Sequence, residues 1–303
     1  MAEHTTDRPL FSPLVMEERD GVFAVRFSAM ASPCELLLHT TDRPSALELG
    51  AMAAGEAWRI ERKYSRYRQD SVISRINGQA GSVQRVDKET TSLLEFAAQC
   101  FELSEGLFDI TSGVLRRAWT FDGSDRVPEA AAVDCLLPLV GFDKLYRDGE
   151  FLMVPGGMEI DFGGIGKEYA VDRAYDLLMG CCPVPFLVNF GGDLRASRPL
   201  PHGPWKVAIE QPGSDRSAAM LLDVEYGALA TSGDSHRFVL KNGIRYGHVL
   251  HPRTGWPVPG SPRSITVAAS SCTEAGLLAT MAMLKGPLAQ QFLEEQQVRF
   301  WLL

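Results

Sequence analysis

The residues with the clearest potential for chemistry lie between positions 158 and 173, where the sequence reads MEIDFGGIGKEYAVDR. A short apolar run with one acid, Asp161, passes through three glycines to Lys167. This order predicts a strand, a turn and the start of a helix. Glycines remove the Cβ atoms that keep another molecule away from the backbone, and the free N–H groups of a first helical turn favour an anion.

The stretch is therefore a candidate anion site. Its spacing is neither that of a Walker loop nor that of a dinucleotide-binding fingerprint, and a tight turn without a ligand is the alternative. Other groups of glycine and polar residues lie where strands and helices are predicted to end, which is where sites tend to be built. They cover residues 65–77, 106–113, 189–193, 231–237, 246–255 and 273–280. The basic and aromatic run 63–68 either faces solvent, as its local residues favour, or contacts a nucleotide.

The elements that must position these residues follow from hydrophobic periodicity and turn residues. Helices are predicted over 46–67, 87–104, 129–140, 167–180 and 273–284, with one more before the C-terminus. Strands are predicted on both sides of a turn at 29–33, over 186–190, 205–210, 219–224, 227–231, 264–269 and 298–302, and in hairpins that turn at 148–149 and 242–243. Strands and helices come in clusters and not in strict βαβ alternation, which predicts an α+β fold with antiparallel sheets.

The composition excludes several classes of protein. The 303 residues are 45% hydrophobic and 22% charged, as is usual for globular proteins. A net charge of −8 gives no support to nucleic-acid binding, and no apolar run of about 18 residues is present to span a membrane. We expect a polar N-terminal arm over 1–21, without the features of a secretory signal, and a single domain of two intimately packed halves over 22–303. The expected location is cytoplasmic.

Six cysteines lie at positions 34, 100, 135, 181, 182 and 272. No pair has the C-x-x-C spacing that is typical of metal and redox sites. The sequence therefore predicts buried thiols and neither metal ligands nor disulfides.

Seven blocks of the sequence carry a family pattern when they are taken together. They read YSRYRQDSVISRIN, SEGLFDITSG, IDFGGIGKEYAVDRA, VNFGGDL, ATSGDSHRF, YGHVLHPRTGWPV and AGLLATMAMLKG, and they cover nearly the whole chain beyond residue 22. In this order the blocks resemble the ApbE family, the flavin transferases that move FMN from FAD onto a protein threonine. The resemblance implies an ApbE-like, T-fold-related α+β domain with mixed, largely antiparallel sheets flanked by helices. It also implies FAD as substrate, Mg²⁺ as cofactor and a flavoprotein with a threonine-containing motif as acceptor.

The resemblance assigns roles to particular residues. The Gly166 carbonyl and the Thr280 hydroxyl match metal-binding positions, and His248 matches a histidine that we assign as general base toward the acceptor hydroxyl. Contacts to FAD are implied for Met30, Tyr67, Phe108, Asp109, Gly163, Lys167, Tyr169 and Leu250. Each residue alone has an ordinary alternative: a half-buried histidine, a helical threonine bonded to the preceding turn, a core tyrosine or a solvated lysine.

Three positions depart from the family pattern and concern the metal site more than the fold. Gly276 stands where the family has an aspartate four residues before the threonine, His251 replaces the aspartate before Pro-Arg-Thr-Gly, and Glu168 stands where glycine is common. Glu274 is the nearest acid to Gly276, but two positions along a helix correspond to about 200° of rotation. We therefore expect FAD to bind, with Mg²⁺ held by the Gly166 carbonyl, Thr280, water and phosphate. The alternatives are a catalytically weak FAD-binding protein and a Mg²⁺-dependent FAD pyrophosphatase that yields FMN and AMP.

Overall fold

The computed structural model describes residues 12–213, 218–234 and 237–303. The strands are β1 Val15–Arg19, β2 Val22–Ala29, β3 Ser32–His39, β4 Val83–Arg85, β5 Tyr146–Asp148, β6 Phe151–Met153, β7 Phe186–Phe190, β8 Asp193–Ala196, β9 Trp205–Glu210, β10 Ala218–Val224, β11 Gly227–Gly233, β12 Phe238–Lys241, β13 Ile244–Gly247, β14 Ser264–Ala269 and β15 Arg299–Leu302. The α-helices are α1 Arg43–Tyr64, α2 Val72–Gly78, α3 Lys88–Leu103, α4 Ala130–Asp134, α5 Gly166–Met179, α6 Cys272–Lys285 and α7 Ala289–Glu295. Short 3₁₀ helices cover Ile110–Arg117, Leu137–Leu139, Phe142–Lys144 and Gly286–Leu288.

Eight strands form the main sheet, in the order β1-β2-β3-β7-β8-β11-β14-β15. All neighbours in this sheet pair antiparallel. Three smaller sheets contain β4-β6-β5, β9-β10 and β12-β13. The predicted α+β fold with largely antiparallel sheets and flanking helices is thus confirmed.

The main core lies between this sheet and helices α1, α3 and α5. Strand β2 turns Phe23, Val25 and Phe27 into the core, and each of these side chains is at most 5% exposed. Helix α1 approaches this strand closely because Gly50 faces it: a Cβ on Gly50 would lie 2.4 Å from Val25 Cγ1. The predicted apolar face of the 22–39 hairpin therefore positions the helix that leads toward the basic run at 63–68.

Helices α5 and α6 are joined by a buried carboxylate on α5. Asp172 accepts the backbone N–H groups of Cys272 at 2.9 Å and of Thr273 at 2.8 Å, and also the Thr273 hydroxyl at 2.6 Å. Arg195 Nη1 lies 2.8 Å from the same carboxylate. Asp172 thus satisfies N–H groups of the first turn of α6 that have no partner within the helix. The two helices run antiparallel, so the turn of α5 before Asp172 faces the second turn of α6.

Three predicted boundaries need correction. Residues 15–19, expected in the polar arm, form β1 and pair with β2, whereas 1–11 lie outside the described residues. The apolar run 158–162 is not a strand; the Asp161 N–H donates to the Ile110 carbonyl at 2.9 Å. The predicted helix 129–140 divides into α4 and a 3₁₀ turn that contains Pro138, which has no N–H to continue the α-helical pattern.

The cysteines fit the sequence prediction only in part. All six lie in the described part of the chain as free thiols, and Cys34, Cys100, Cys182 and Cys272 are buried. Cys135 and Cys181 are exposed at or just beyond the ends of α4 and α5, so the prediction of buried thiols is wrong for these two. Within the described ranges, no helix combines the length and the apolar character needed to cross a membrane.

Candidate active site at the start of helix α5

The glycine-rich stretch delivers Lys167 to the first turn of α5, where its ammonium group meets a buried acid. Lys167 Nζ lies 2.7 Å from Asp193 Oδ2, and Asp193 is 1% exposed at the start of β8. The other carboxylate oxygen of Asp193 accepts the Thr231 N–H at 3.0 Å. Burial lowers the pKa of Lys167, but the Asp193 and Glu168 carboxylates outweigh burial and raise it overall. Lys167 therefore keeps a positive charge at neutral pH.

The turn between β2 and β3 reaches the same region. Met30 and Ala31 have left-handed φ angles of 52° and 56°, which close the hairpin tightly, and Met30 packs half-buried against the core. Gly191, with φ of 66°, stands in the turn between β7 and β8. A Cβ on Gly191 would lie 2.7 Å from Ser32 Cβ and 3.7 Å from Lys167 Cδ. The missing side chain thus lets the two turns and the lysine stem meet.

Helix α6 contributes Thr280 and Gly276, one turn apart on the same side of the helix. Thr280 Oγ1 and Ser232 Oγ share a hydrogen bond of 2.9 Å, which places the hydroxyl between α6 and β11. Glu168 lies against Gly276 and is 8% exposed. Its Oε2 atom is buried and has no hydrogen-bond partner among the described residues. Burial raises the pKa of Glu168, and the Asp193 carboxylate adds to this effect while Lys167 opposes it.

His248 follows β13 and is half-buried. Its ring centroid lies 6.4 Å from that of Phe121, and its buried Nδ1 atom has no hydrogen-bond partner in the described part of the chain. Burial, with the charge of Arg237, lowers the pKa of His248 to about 4, and the charge of Lys167 contributes in the same direction. The histidine is therefore neutral at pH 7 and has a ring nitrogen free to accept a proton. The residue before it, Gly247, lies against Asp234 just after β11, since a Cβ on Gly247 would lie 3.1 Å from Asp234 Cβ. His248 therefore follows a residue that packs beside the strand carrying Ser232.

The opposite side of the glycine turn carries a partly buried ion pair. Arg66 pairs with Asp161, and the Gly163 N–H donates to Asp161 Oδ1 at 2.9 Å. The Arg66 guanidinium also lies 4.9 Å from the ring centroid of Tyr67, whose side chain is 67% exposed. Tyr67 is thus not a core tyrosine, and its ring is accessible to a flat ligand. Phe108 is buried beside the turn.

The backbone of the turn is less open than the sequence predicts. The Gly163 N–H is engaged by Asp161, and the Gly166 N–H donates to the Phe162 carbonyl at 2.7 Å. Neither amide is free for an anion in this conformation, which corrects the expectation at these two positions. Gly164 leaves room for the Phe108 ring, because a Cβ on residue 164 would lie 3.3 Å from that ring.

Three residues that are expected to contact the cofactor also have partners within the protein. Tyr169 donates its hydroxyl to Glu89 Oε1 at 2.9 Å, and it lies about 200° around α5 from Lys167. Asp109 accepts the N–H groups of Thr111 at 2.7 Å and Phe142 at 3.0 Å, and burial raises its pKa. Leu250 packs on the apolar cluster formed by Val114, Leu115, Leu136 and Val140. Contact of Tyr169, Asp109 and Leu250 with FAD stays a prediction.

Other site residues received no individual role from the sequence. Asp193 and Ser232 lie in two of the groups of glycine and polar residues at predicted strand ends, 189–193 and 231–237. This pattern indicates that a site lies nearby, but it does not indicate what either residue does. In the cluster 231–237, residues 235 and 236 lie outside the described part of the chain. His251, which replaces the aspartate of the family pattern, has a structural contact: its Nδ1 accepts the Arg253 N–H at 3.1 Å and so stabilises the turn.

The oxygen atoms around Thr280 are of the kind that suits a hard cation. Among the described residues, no three His, Cys, Asp or Glu side chains form a cluster that could hold a metal ion. A divalent cation here would depend on mixed oxygens: the Thr280 hydroxyl, the Gly166 carbonyl and a carboxylate, all of which suit Mg²⁺. Gly166 is the first residue of α5, and in a regular helix its carbonyl already accepts one hydrogen bond, so one lone pair remains. The unpartnered Glu168 oxygen shows that the residues present fit such an ion.

Comparisons with known proteins agree with this architecture. The model of the ApbE family matches residues 30–302. The FAD:protein FMN transferase of Vibrio cholerae is 32% identical over 235 residues, which cover 75% of this chain and 70% of that protein. The FAD:protein FMN transferase of Treponema pallidum is 31% identical over 240 residues, which cover 72% of this chain and 66% of that protein.

Two crystal structures extend the likeness to the fold. The ApbE protein of Thermotoga maritima has a TM-score of 0.84 at 29% identity, with 93% of this chain and 94% of that chain covered. The flavinyl transferase ApbE of Pseudomonas stutzeri has a TM-score of 0.80 at 28% identity, with 96% and 92% covered. The fold therefore matches over nearly the full length of both chains.

Proposed function

This chain belongs to the ApbE family, and on that premise we propose that it is an FAD:protein FMN transferase. The proposed substrates are FAD and a threonine or serine hydroxyl of an acceptor flavoprotein, and the products are the FMN-modified protein and AMP. The observation that supports the assignment most is the combination of charged Lys167 at the start of α5, the Thr280 hydroxyl bonded to β11, and neutral His248, whose preceding residue packs just after β11. Phosphoryl transfer needs these three kinds of group: a proton acceptor, a cationic group and oxygen ligands for a divalent cation.

In the proposed reaction the acceptor hydroxyl oxygen attacks the phosphorus on the FMN side of the pyrophosphate. A new P–O bond forms to the acceptor as the P–O bond to the AMP oxygen breaks. His248 takes the hydroxyl proton, with its unpartnered Nδ1 atom as the proposed acceptor, since the ring is neutral at pH 7. The released AMP carries the negative charge that builds up on the leaving oxygen.

The other residues hold and orient the substrate. Lys167, fixed by Asp193, places positive charge where the pyrophosphate is proposed to lie. Met30 in its tight turn and the exposed ring of Tyr67 are available for contacts to the flavin. Thr280 and the Gly166 carbonyl are proposed to hold Mg²⁺, which would stabilise the charge that develops on the phosphate oxygens.

The test is a transfer reaction with the purified chain, FAD, Mg²⁺ and a candidate acceptor domain. We expect the mass of FMN to appear on one acceptor hydroxyl, located by peptide mass spectrometry, together with one AMP for each modified acceptor. A matched acceptor with that threonine replaced by valine should stay unmodified. AMP and free FMN without modified acceptor would instead establish hydrolysis, and bound FAD without either product would establish a carrier protein.

A further inference from the structure

Helices α5 and α6 meet at Glu168 and Gly276. The Glu168 side chain occupies the space that a side chain on residue 276 would need. A Cβ on Gly276 would lie 2.5 Å from Glu168 Cγ, 2.8 Å from Oε1 and 2.9 Å from Cδ. Carbon atoms do not approach this closely without a bond, so no side chain fits on residue 276 while Glu168 stays in place. The carboxylate of Glu168 therefore lies where a side chain on residue 276 would begin.

The surroundings leave this carboxylate without a full set of partners. Glu168 is 8% exposed, and its Oε2 atom has no hydrogen-bond donor among the described residues. Lys167, the adjacent cation, places its ammonium group on Asp193. With Glu168 ionised, these three groups would carry one net negative charge in a buried setting, which is unfavourable unless a cation compensates it; without a cation, burial favours the protonated acid.

The position of the unpartnered oxygen points to a cation. Thr280 lies one turn from Gly276 on the same side of α6, and its hydroxyl is oriented by Ser232. Gly166 lies two residues before Glu168 at the start of α5. A carboxylate, a hydroxyl and a backbone carbonyl thus come from two antiparallel helices that Asp172 holds in register.

We propose that Glu168 supplies, from α5, the carboxylate ligand of the Mg²⁺ site that residue 276 of α6 cannot supply. The proposal deepens the transferase assignment and rests on it only for the identity of the ion. It also replaces the expectation that the Gly166 carbonyl and Thr280 hold the ion without a charged protein oxygen. On this account Gly276 is needed because any larger residue would displace Glu168.

Direct metal binding tests the proposal without acceptor or turnover. Mn²⁺, which replaces Mg²⁺ at oxygen sites and gives an electron paramagnetic resonance signal when free, is titrated into the full chain with and without FAD. Glu168→Gln keeps the size of the side chain and removes its charge, so we expect the Mn²⁺ dissociation constant to rise by about 10- to 100-fold. Glu274→Gln, at an exposed position on α6, is the matched control and should bind as the wild type does.

Moving the carboxylate from α5 to α6 by a pair of substitutions provides a second, more specific test. Gly276→Asp alone should not improve Mn²⁺ binding, because it forces two carboxylates into one space. Glu168→Gly alone should bind weakly, and Glu168→Gly with Gly276→Asp should recover much of the lost affinity by placing the carboxylate on α6. Unchanged Mn²⁺ affinity in folded Glu168→Gln, or a gain in Gly276→Asp alone, would overturn the proposal.

Thermal unfolding separates a ligand from a merely structural acid. Without metal, Glu168→Gln should melt at the same or a higher temperature than the wild type, since Gln keeps the size of the side chain and removes an acid whose ionised form burial disfavours. Added Mg²⁺ should raise the melting temperature of the wild type and not that of the variant. A wild type that binds Mn²⁺ through Glu168 but modifies no acceptor would contradict the transferase assignment alone, whereas an active wild type with an unaffected Glu168→Gln variant would contradict the ligand assignment alone.

Discussion

His248 owes its proposed role to the burial of its ring and to the positive charge beside it. A histidine in water titrates near pH 6.5, but here burial and the charge of Arg237 lower the pKa to about 4. A base with so low a pKa is weak, yet it is fully available at neutral pH and needs no prior deprotonation. It suits a step in which the hydroxyl proton moves late, as the bond to phosphorus forms.

The rate of transfer should therefore remain nearly constant from pH 7 down to about pH 5, and it should fall below that as His248 takes up a proton. Initial rates at saturating FAD, measured as acceptor flavinylation against pH, check this. Replacing His248 by Gln should lower kcat by about 10²- to 10⁴-fold while FAD affinity stays the same. An acid limb near pH 6.5 would contradict the buried, neutral histidine of this structure.

The same pKa predicts how the stability of the fold depends on pH. Between pH 6.5 and about 4 the unfolded chain binds a proton at residue 248 and the folded chain does not, so this residue lowers stability as the pH falls through that window. Each unit between the two pKa values is worth about 1.4 kcal/mol. Urea unfolding at pH 7.0 and 5.0 should thus show a smaller loss of stability in His248→Gln than in the wild type. Equal losses would mean that the histidine is solvated.

Lys167 is positioned by an acid that cannot reach water. Replacing Lys167 by Met leaves the Asp193 carboxylate, 1% exposed, without its cation, and we expect a loss of about 3 kcal/mol in the free energy of unfolding. Adding Asp193→Asn to the same chain should return part of that stability, because the uncompensated charge is gone. Chemical denaturation of the two single variants and the double variant measures the coupling, and additive losses would show that the pair does not interact.

At the scale of elements, the contact between α5 and α6 determines the site. Asp172 of α5 accepts N–H groups in the first turn of α6. This contact fixes the register of the two helices, so that Glu168, one turn before Asp172, faces Gly276. A carboxylate accepts several N–H and hydroxyl groups at once, whereas an amide can accept at one atom only. The geometry of the proposed metal site therefore depends on a residue that touches no ligand.

Replacing Asp172 by Asn should lower the free energy of unfolding by about 3 kcal/mol, because it weakens three hydrogen bonds to α6 and leaves Arg195 without its close partner. It should also weaken Mn²⁺ binding through the displaced register of α6. Asp176→Asn is the control, since this carboxylate is 60% exposed and 3.7 Å from Arg195, and a change within about 0.5 kcal/mol is expected. Equal effects of the two variants would show that the cap at α6 is not important.

The elements were predictable wherever one face of the chain is uniformly apolar or a turn residue marks an end. Strands β7 and β14 lie at their predicted bounds, because each is a compact apolar run between turns. Strand β1 was not predicted, since its side chains are mostly exposed at the edge of the sheet and carry no alternation. The run 158–162 has strand-like residues, but its backbone groups bond to the Asn77 side chain and to the Ile110 carbonyl and not to a neighbouring strand.

The site was predictable as a neighbourhood but not as a set of contacts. Lys167 and Thr280 carry a local signal, a glycine turn and a helix face. Glu168 and Gly276 were visible only as two separate departures, because nothing in either local sequence shows that the two positions meet. That meeting depends on the packing of α5 against α6, which is a property of the tertiary structure.

At the scale of the whole molecule, the candidate site is assembled from segments far apart in sequence. The β2–β3 turn, the start of α5, β8, β11, the residues after β13 and helix α6 all contribute. A ligand that contacts several of these segments stabilises them together, since it binds only the folded arrangement. The expected organisation as one domain with two intimately packed halves can be tested through this linkage.

FAD should raise the stability of the entire chain and not of one part. At a concentration 100 times its dissociation constant, a ligand specific for the folded state adds about 2.7 kcal/mol. Differential scanning calorimetry should therefore show one unfolding transition that moves upward as a unit with FAD and Mg²⁺, while hydrogen exchange slows in both α5 and α6. Two transitions, of which FAD moves only one, would mean that the halves unfold separately and that Asp172 does not couple them. A single transition that FAD and Mg²⁺ move upward would show that α5 and α6 unfold together. That is the result expected if folding, metal binding and flavin transfer all require the same register of these two helices.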